Sequence, residues 1–450
     1  ETGESETAHQ RHAAWCLAFA EEAVPRIDGA EQLDWLGRLD REHDNARVAL
    51  RWYEAASNGV GALALAVALA PYWQTRGFFS EGRRWLERAS GLVAASSDLA
   101  ARAAREAGAL ALAQGDFPSA QRWFSDALAA ARAQDDREAE SVVLANLGAI
   151  ALECGNLDEA ERYLNESLAI AAARQDQRRQ GDILANLGAV AHYQGNAEQA
   201  LRRYLESLRI WRDLGDSRGI ADMRLNVLLL LAPRSGACDQ ARAAGEEALR
   251  HFRDLGDPQG EALALAGLGL VAATAGNLDR AAELQEESLR LARRLEDPAT
   301  EARVLGNLVA VELDRKRFER AESLLRDYFP LVEAVGYLDG LATGFEVAAA
   351  LHTAFERWDQ AAQLTGAAAA LRERIATPTP PEGQVRHAAV VASLQHHLAD
   401  RYDAIVAEGA ALSVVDAVAT ALRRDPPPAI DDPLAALLLT LDETFTARTM

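Results

Sequence analysis

Four asparagines stand at one register of a repeating chain. Asn146, Asn186, Asn226 and Asn307 each lie two residues before the place that Gly148 holds in its own segment. An amide side chain donates and accepts together, so a ladder of them on one surface can hold the backbone of an extended peptide. The alternative is that each amide satisfies a carbonyl of a neighbouring helix. Asparagine is a poor helix former, so its recurrence at one helical register calls for one reason or the other. The same count puts Arg102 and Arg105 in the first full segment, Asp182, His192 and Tyr193 in the third, Asp222 in the fourth and Arg303 in the sixth. A mixed-sign lining of this kind suits a zwitterionic peptide or small ligand. Taken singly, each charge reads as a solvated helix face.

Other residues with chemical potential lack a frame. His396 and His397 are adjacent, so on a helix they point about 100° apart and share a metal poorly. No HExxH or H-x3-H spacing is present. Cys16, Cys154 and Cys238 are far apart and odd in number, neither a disulfide framework nor a metal spacing. Their plain setting is a reducing cytoplasm, with Cys154, just before a turn glycine, acting as a small apolar residue. Asn165-Glu166-Ser167 is a glycosylation sequon, but it falls mid-helix in a chain expected in the cytoplasm. There is no serine nucleophile elbow, no carboxylate pair in a recognisable frame and no GxxxxGK[ST] phosphate loop. We therefore assign no catalytic residue, no metal and no cofactor.

The elements that must position the asparagines follow from composition and periodicity. With 450 residues, a single core would be unusual, because cores stop growing near 250–300 residues; several domains or a repeat array are expected. Alanine and leucine dominate, aromatics are 6%, and these are the residues that cost least to hold in a helix. The net charge of -21, from 47 basic and 68 acidic residues, repels phosphate backbones and argues against direct nucleic-acid binding. It would steer in basic peptides or cationic ligands. No stretch reaches the ~20 apolar residues of a membrane span, and no signal-peptide pattern opens the chain. The missing initiator Met leads us to expect a piece of a longer protein.

The repeat is plain. Asn146-Leu147-Gly148-Ala149 recurs as Asn186-Leu187-Gly188-Ala189, an offset of 40. Gly115, Gly155 and Gly195 keep that step, and Gly276 follows after 81. Ala120, Ala160, Ala200, Ala241, Ala281, Ala321 and Ala361 give five spacings of 40 and one of 41. Each unit reads as an apolar-periodic helix (Leu144, Leu147, Ile150), a turn with Gly155 in left-handed backbone, an Asn or Asp cap, and a second helix (Ala160, Tyr163, Leu164, Leu168). Ala160 must be small because the helices approach closely there. Asp257-Pro258 and Asp297-Pro298 set a cap before a proline at the first helical position. The fourth unit, Met223 to Leu249, departs at its turn with Pro233-Arg234-Ser235-Gly236. The sixth has Val309 and Lys316, and the seventh Ala349 and Arg357, where glycines are expected.

This grammar resembles the tetratricopeptide repeat, usually 34 residues long; a period of 40 implies about one extra turn per helix. The resemblance implies an all-α fold, a right-handed superhelix of antiparallel helix pairs with about 7–8 repeats, whose first helices line a concave groove. The flanks resemble a second family. Leu33-Asp34-Trp35-Leu36-Gly37-Arg38-Leu39, Glu42, Asp44-Asn45-Ala46-Arg47, Tyr72-Trp73, Gly77, Glu81-Gly82-Arg83-Arg84-Trp85-Leu86 and Ala361-Ala362-Gln363-Leu364-Thr365-Gly366-Ala367 are similar to the repeat region of bacterial multidomain signalling ATPases (the STAND class) and LuxR-like transcriptional regulators. That implies repeats which sense an inducer or hold a nucleotide switch off. The expected division is a helical linker region at 1–55, a solenoid at 56–372, a proline-rich linker at 373–384, a helical cap of one further helix pair at 385–423 and a loose tail at 424–450. The functional expectation is a non-catalytic sensor and interaction module that binds a peptide, protein partner or small inducer in the groove, with no membrane contact. The competing expectation is a scaffold that self-associates into homo-oligomers without a small ligand.

Overall fold

The computed structural model of the protein describes residues 2–27, 31–94, 97–336, 338–375 and 381–423. The expected tail at 424–450, with a short helix at 434–441, lies outside the described residues, as do residues 376–380 of the proline-rich linker. Among the described residues the secondary structure is helical throughout. In order it runs α1 (Thr2–Ile27), α2 (Gln32–Ala55), α3 (Gly59–Arg76), α4 (Phe79–Ser90), α5 (Asp98–Ala113), α6 (Phe117–Ala133), α7 (Arg137–Glu153), α8 (Leu157–Ala173), α9 (Gln177–Tyr193) and α10 (Ala197–Asp213). It continues with α11 (Ser217–Leu231), α12 (Cys238–Asp254), α13 (Pro258–Thr274), α14 (Leu278–Arg294), α15 (Pro298–Asp314), α16 (Phe318–Val335), α17 (Leu338–Ala354), α18 (Trp358–Arg374), α19 (Pro381–Leu398), α20 (Tyr402–Ala410) and α21 (Val414–Leu422). The chain forms two compact units, residues 1–210 and 211–450.

The period of 40 is the sum of two 17-residue helices and two three-residue turns, as in α7, Cys154 to Asn156, α8, and Arg174 to Asp176. The turn between α11 and α12, a 3-10 turn at Ser235–Ala237, has no residue in left-handed backbone; these three-residue turns use one. Gly155 supplies it between the helices of a pair (φ 73°), whereas Gln175 supplies it between pairs (φ 59°) without being glycine. In the sixth unit Lys316 takes this conformation (φ 60°). In the seventh the residue is Glu356 (φ 56°), 40 after Lys316 as the period requires, and Arg357, expected at the turn, is instead the cap position of α18. Asp136, Asp176, Asp216, Asp257 and Asp297 each accept a backbone N–H in the first turn of the helix they precede. Asn156 stands at the same kind of position but its side chain makes no capping bond.

Antiparallel pairs pack in chain order: α5 on α6 and α7 on α8 in the first unit, and α11 on α12, α13 on α14, α15 on α16 and α17 on α18 in the second. All seven periodic alanines are fully buried. Gly188 shows why one position stays small, since a Cβ there would lie 2.5 Å from Cε1 of Tyr204 on the paired helix. A periodic hydrogen bond ties the pairs: Ser167, Ser207 and Ser288 each donate at 2.7 Å to a carbonyl 26 residues upstream, on Ser141, Gly181 and Ala262. These contacts are all between near neighbours in sequence, as stacked repeats require.

The flanking motifs knit helices together. Arg47 on α2 donates two bonds to Glu81 on α4, at 2.7 and 2.5 Å. Tyr72 on α3 donates to Asp40 at 3.1 Å, and Trp73 Nε1 donates to buried His43 at 3.4 Å. Burial is the main reason the His43 imidazole sits below its ordinary pKa. Beyond the repeats, three helices take the place of the expected single pair. α20 crosses α18 at two glycines: a Cβ on Gly366 would lie 2.0 Å from the Val406 carbonyl oxygen, and one on Gly409 would lie 2.0 Å from that of Gln363. α21 packs on α16, α17 and α18, while α19 lies against α17 and α18.

Candidate functional site

Within each unit the odd-numbered repeat helices lie side by side. In the first unit α7 lies beside α9; in the second, α11, α13, α15 and α17 lie side by side. Asn146 and Asn186 are half-buried on α7 and α9, and Asn226 and Asn307 are half-buried on α11 and α15. None of the four has a side-chain hydrogen bond to another described residue. A half-buried amide without an internal partner is satisfied by water or by a bound group.

On α9 the helical spacing aligns Asp182, Asn186 and Tyr193, at i, i+4 and i+11, on one stripe. Tyr193 is 72% exposed, which is unusual for so large a ring, and its neighbour His192 stacks on it at 5.9 Å. Arg102 is exposed and Arg105 half-buried against Glu106 at 3.2 Å; both border a cleft of about 20 Å³ between α5, α6 and α7. Asp222 on α11 accepts from Arg218 at 3.3 Å, and burial pushes its carboxyl above the ordinary value.

In the second unit the odd-numbered helices line a cavity of about 240 Å³ that is open to solvent on one side. Its lining is periodic. The ladder register contributes Gly267, Asn307 and Val347; the residues four before it contribute Leu263, Arg303 and Thr343; those three after contribute Leu229, Leu270 and Ala310. Thus Arg303 and Asn307 are brought together, one turn apart on α15. The other candidates do not join them in this cavity. The far side is α19, with Gly383, Arg386 and half-buried His387, and Arg386 pairs with Asp314 on α15 at 2.9 Å.

One wall is an ionic cluster that the repeat count does not single out. Arg372, on α18 and only 7% exposed, donates to Asp339, to Thr343 Oγ1 at 2.8 Å and to Glu346 at 3.1 Å. Those acceptors share a stripe of α17 at i, i+4 and i+7. Burial opposes the charge, but the Glu346 and Asp339 carboxylates hold Arg372 above the ordinary arginine value. The stripe was readable as an amphipathic pattern; its partner, 26 to 33 residues downstream, was not. No group of three or more metal-ligating side chains able to hold an ion occurs among the described residues, and none of their helices is long and apolar enough to cross a membrane.

Comparison with known proteins agrees with this architecture. A tetratricopeptide repeat family profile matches the overlapping stretches 99–173, 139–213 and 179–254, and a second matches 262–298. No curated protein matches the chain. Among solved structures, the apo form of the quorum sensor NprR from B. thuringiensis is 16% identical with a TM-score of 0.56, over 78% of this chain and 99% of that one. Aspartyl phosphate phosphatase F from Bacillus subtilis is 10% identical at a TM-score of 0.53, over 73% and 94%. A STAND protein, a signal transduction ATPase with a tetratricopeptide repeat sensor from Pyrococcus horikoshii, is 16% identical at 0.52, over 85% of this chain and 55% of that one. At such identities the likeness is one of fold. The helix pairs across residues 99–254 and 262–298 are tetratricopeptide repeats.

Proposed function

We propose that this chain is a non-catalytic sensor and interaction module that binds a peptide or small inducer on the face of its odd-numbered helices, and so regulates an attached signalling ATPase or transcriptional regulator. The observation that carries the reading is the asparagine register: four half-buried amides, at one position of four repeats, with no partner among the described residues. Each can donate and accept to an extended backbone. The fold-level likeness to a quorum sensor and to an ATPase with a repeat sensor favours a regulatory setting over a purely structural one.

The test is selection of decapeptides from a randomised display library on the purified chain, followed by titration of the winners against wild type and Asn146→Ala/Asn186→Ala. A loss of affinity of tenfold or more in the double variant is expected. Winners that bind both proteins equally would remove the asparagines from the site. For the regulatory half, a winning peptide should alter ATP hydrolysis or transcriptional output of the protein to which this module is joined; an output blind to the peptide would leave binding without regulation.

A further inference from the structure

We infer that the cavity between α13, α15, α17 and α19 is a binding site for a small amphipathic carboxylate. This deepens the proposed function, since it rests on the odd-helix face being the binding face and names the chemistry of a small ligand there.

The size sets the first limit. About 240 Å³ is eight times the volume a water molecule occupies in the liquid, so it suits a ligand of roughly ten non-hydrogen atoms.

The lining sets the polarity. Leu229, Leu263, Leu270 and Val347 give an apolar wall, and mostly apolar pockets with a few placed polar groups are the usual form of small-ligand sites. Of the acidic residues of the lining, Asp339 and Glu346 share the one guanidinium of Arg372, which offsets one of their two charges. The donors with capacity left are different ones. Arg303 has no ion-pair or hydrogen-bond partner among the described residues. The Asn307 amide has none either. Arg386 gives one nitrogen to Asp314, while its Nε–H is buried without an acceptor. A buried donor without an acceptor costs about 1–3 kcal/mol, and a carboxylate oxygen is the acceptor that best suits a guanidinium. Two arginines and an amide beside an apolar wall therefore call for a carboxylate head on an apolar body, in a chain whose overall charge of -21 would otherwise turn anions away.

The test uses the whole chain with octanoate and 3-phenylpropionate as probes and octanamide as the uncharged control, read by isothermal titration calorimetry. At least one carboxylate should bind with 1:1 stoichiometry and octanamide at least tenfold more weakly. Arg303→Gln, at an exposed and unpaired position, should weaken the carboxylate tenfold or more without changing the circular dichroism spectrum. Ala310→Trp, which fills the cavity, should abolish binding. Absence of carboxylate binding, equal binding of octanamide, or binding unchanged in Arg303→Gln would overturn the inference. Peptide binding through Asn146 and Asn186, in the other unit, is measured independently, so its survival would show that only this inference had failed.

Discussion

Replacing Asn146 and Asn186 by alanine should make the folded protein more stable, not less. Each amide lies mid-helix and half-buried with no side-chain hydrogen bond among the described residues, so its removal breaks none. Alanine in place of asparagine in a helix interior gains up to about 0.7 kcal/mol. The atoms removed are mostly a polar amide, so little apolar burial is lost. Two sites together should therefore yield about 1 kcal/mol. Were the amides bonded to neighbouring helix carbonyls, each truncation would instead remove a bond with a net worth of about 0.5–1.5 kcal/mol, and the sum would cancel or reverse the gain. Urea unfolding followed by circular dichroism at 222 nm separates the cases, with the wild-type slope used to convert midpoints. A variant less stable than wild type by 1 kcal/mol or more would mean that the amides are bonded within the fold and have a structural role. A stabilised variant that has lost peptide affinity would show positions kept for binding at a cost to stability.

Arg372→Met should destabilise the second unit by about 3–5 kcal/mol, the usual result of removing one partner from a buried ion pair, because Asp339 and Glu346 lose their shared guanidinium; urea unfolding showing less than about 1 kcal/mol would mean that water enters to replace it. Ser207→Ala should cost about 1 kcal/mol in the same assay, since it deletes the buried 2.7 Å bond to the Gly181 carbonyl, and a neutral result would make the periodic serines dispensable. Burial holds the imidazoles of His43 and His352 below their ordinary value of about 6.5, so the unfolded chain takes up those protons first. Their stabilising contribution is complete above pH 6.5 and is lost as pH falls through and below it, by up to about 1.4 kcal/mol per pH unit for each group; a His43→Gln/His352→Gln variant should show a shallower fall of thermal midpoint between pH 6.5 and 5.

The repeat fold was legible in the sequence because its determinants are local. Seven alanines stepping by 40 or 41, glycine or a tolerant residue at the left-handed turn positions, and aspartates that cap the next helix all act within one unit. A period of 40 rather than 34 even carried the helix length, since two turns of three residues leave 17 for each helix. The turn residue of the seventh unit is Glu356 and not Arg357, and the period itself fixes it, 40 residues after Lys316. The asparagine register was visible as spacing, but its lack of internal partners emerged only when neighbouring helices were in place. The cavity was beyond the sequence altogether. The repeat pattern gives Asn307 the register of Asn146 and Asn186, with Arg303 one turn before it, yet in the second unit α19 also lines the cavity at those residues, with Arg386 reaching Asp314 across 72 residues of chain. Periodicity fixes which side chains point to the face; what covers the face depends on a non-periodic segment whose path is set by packing, as in the glycine-to-glycine crossing of α18 and α20.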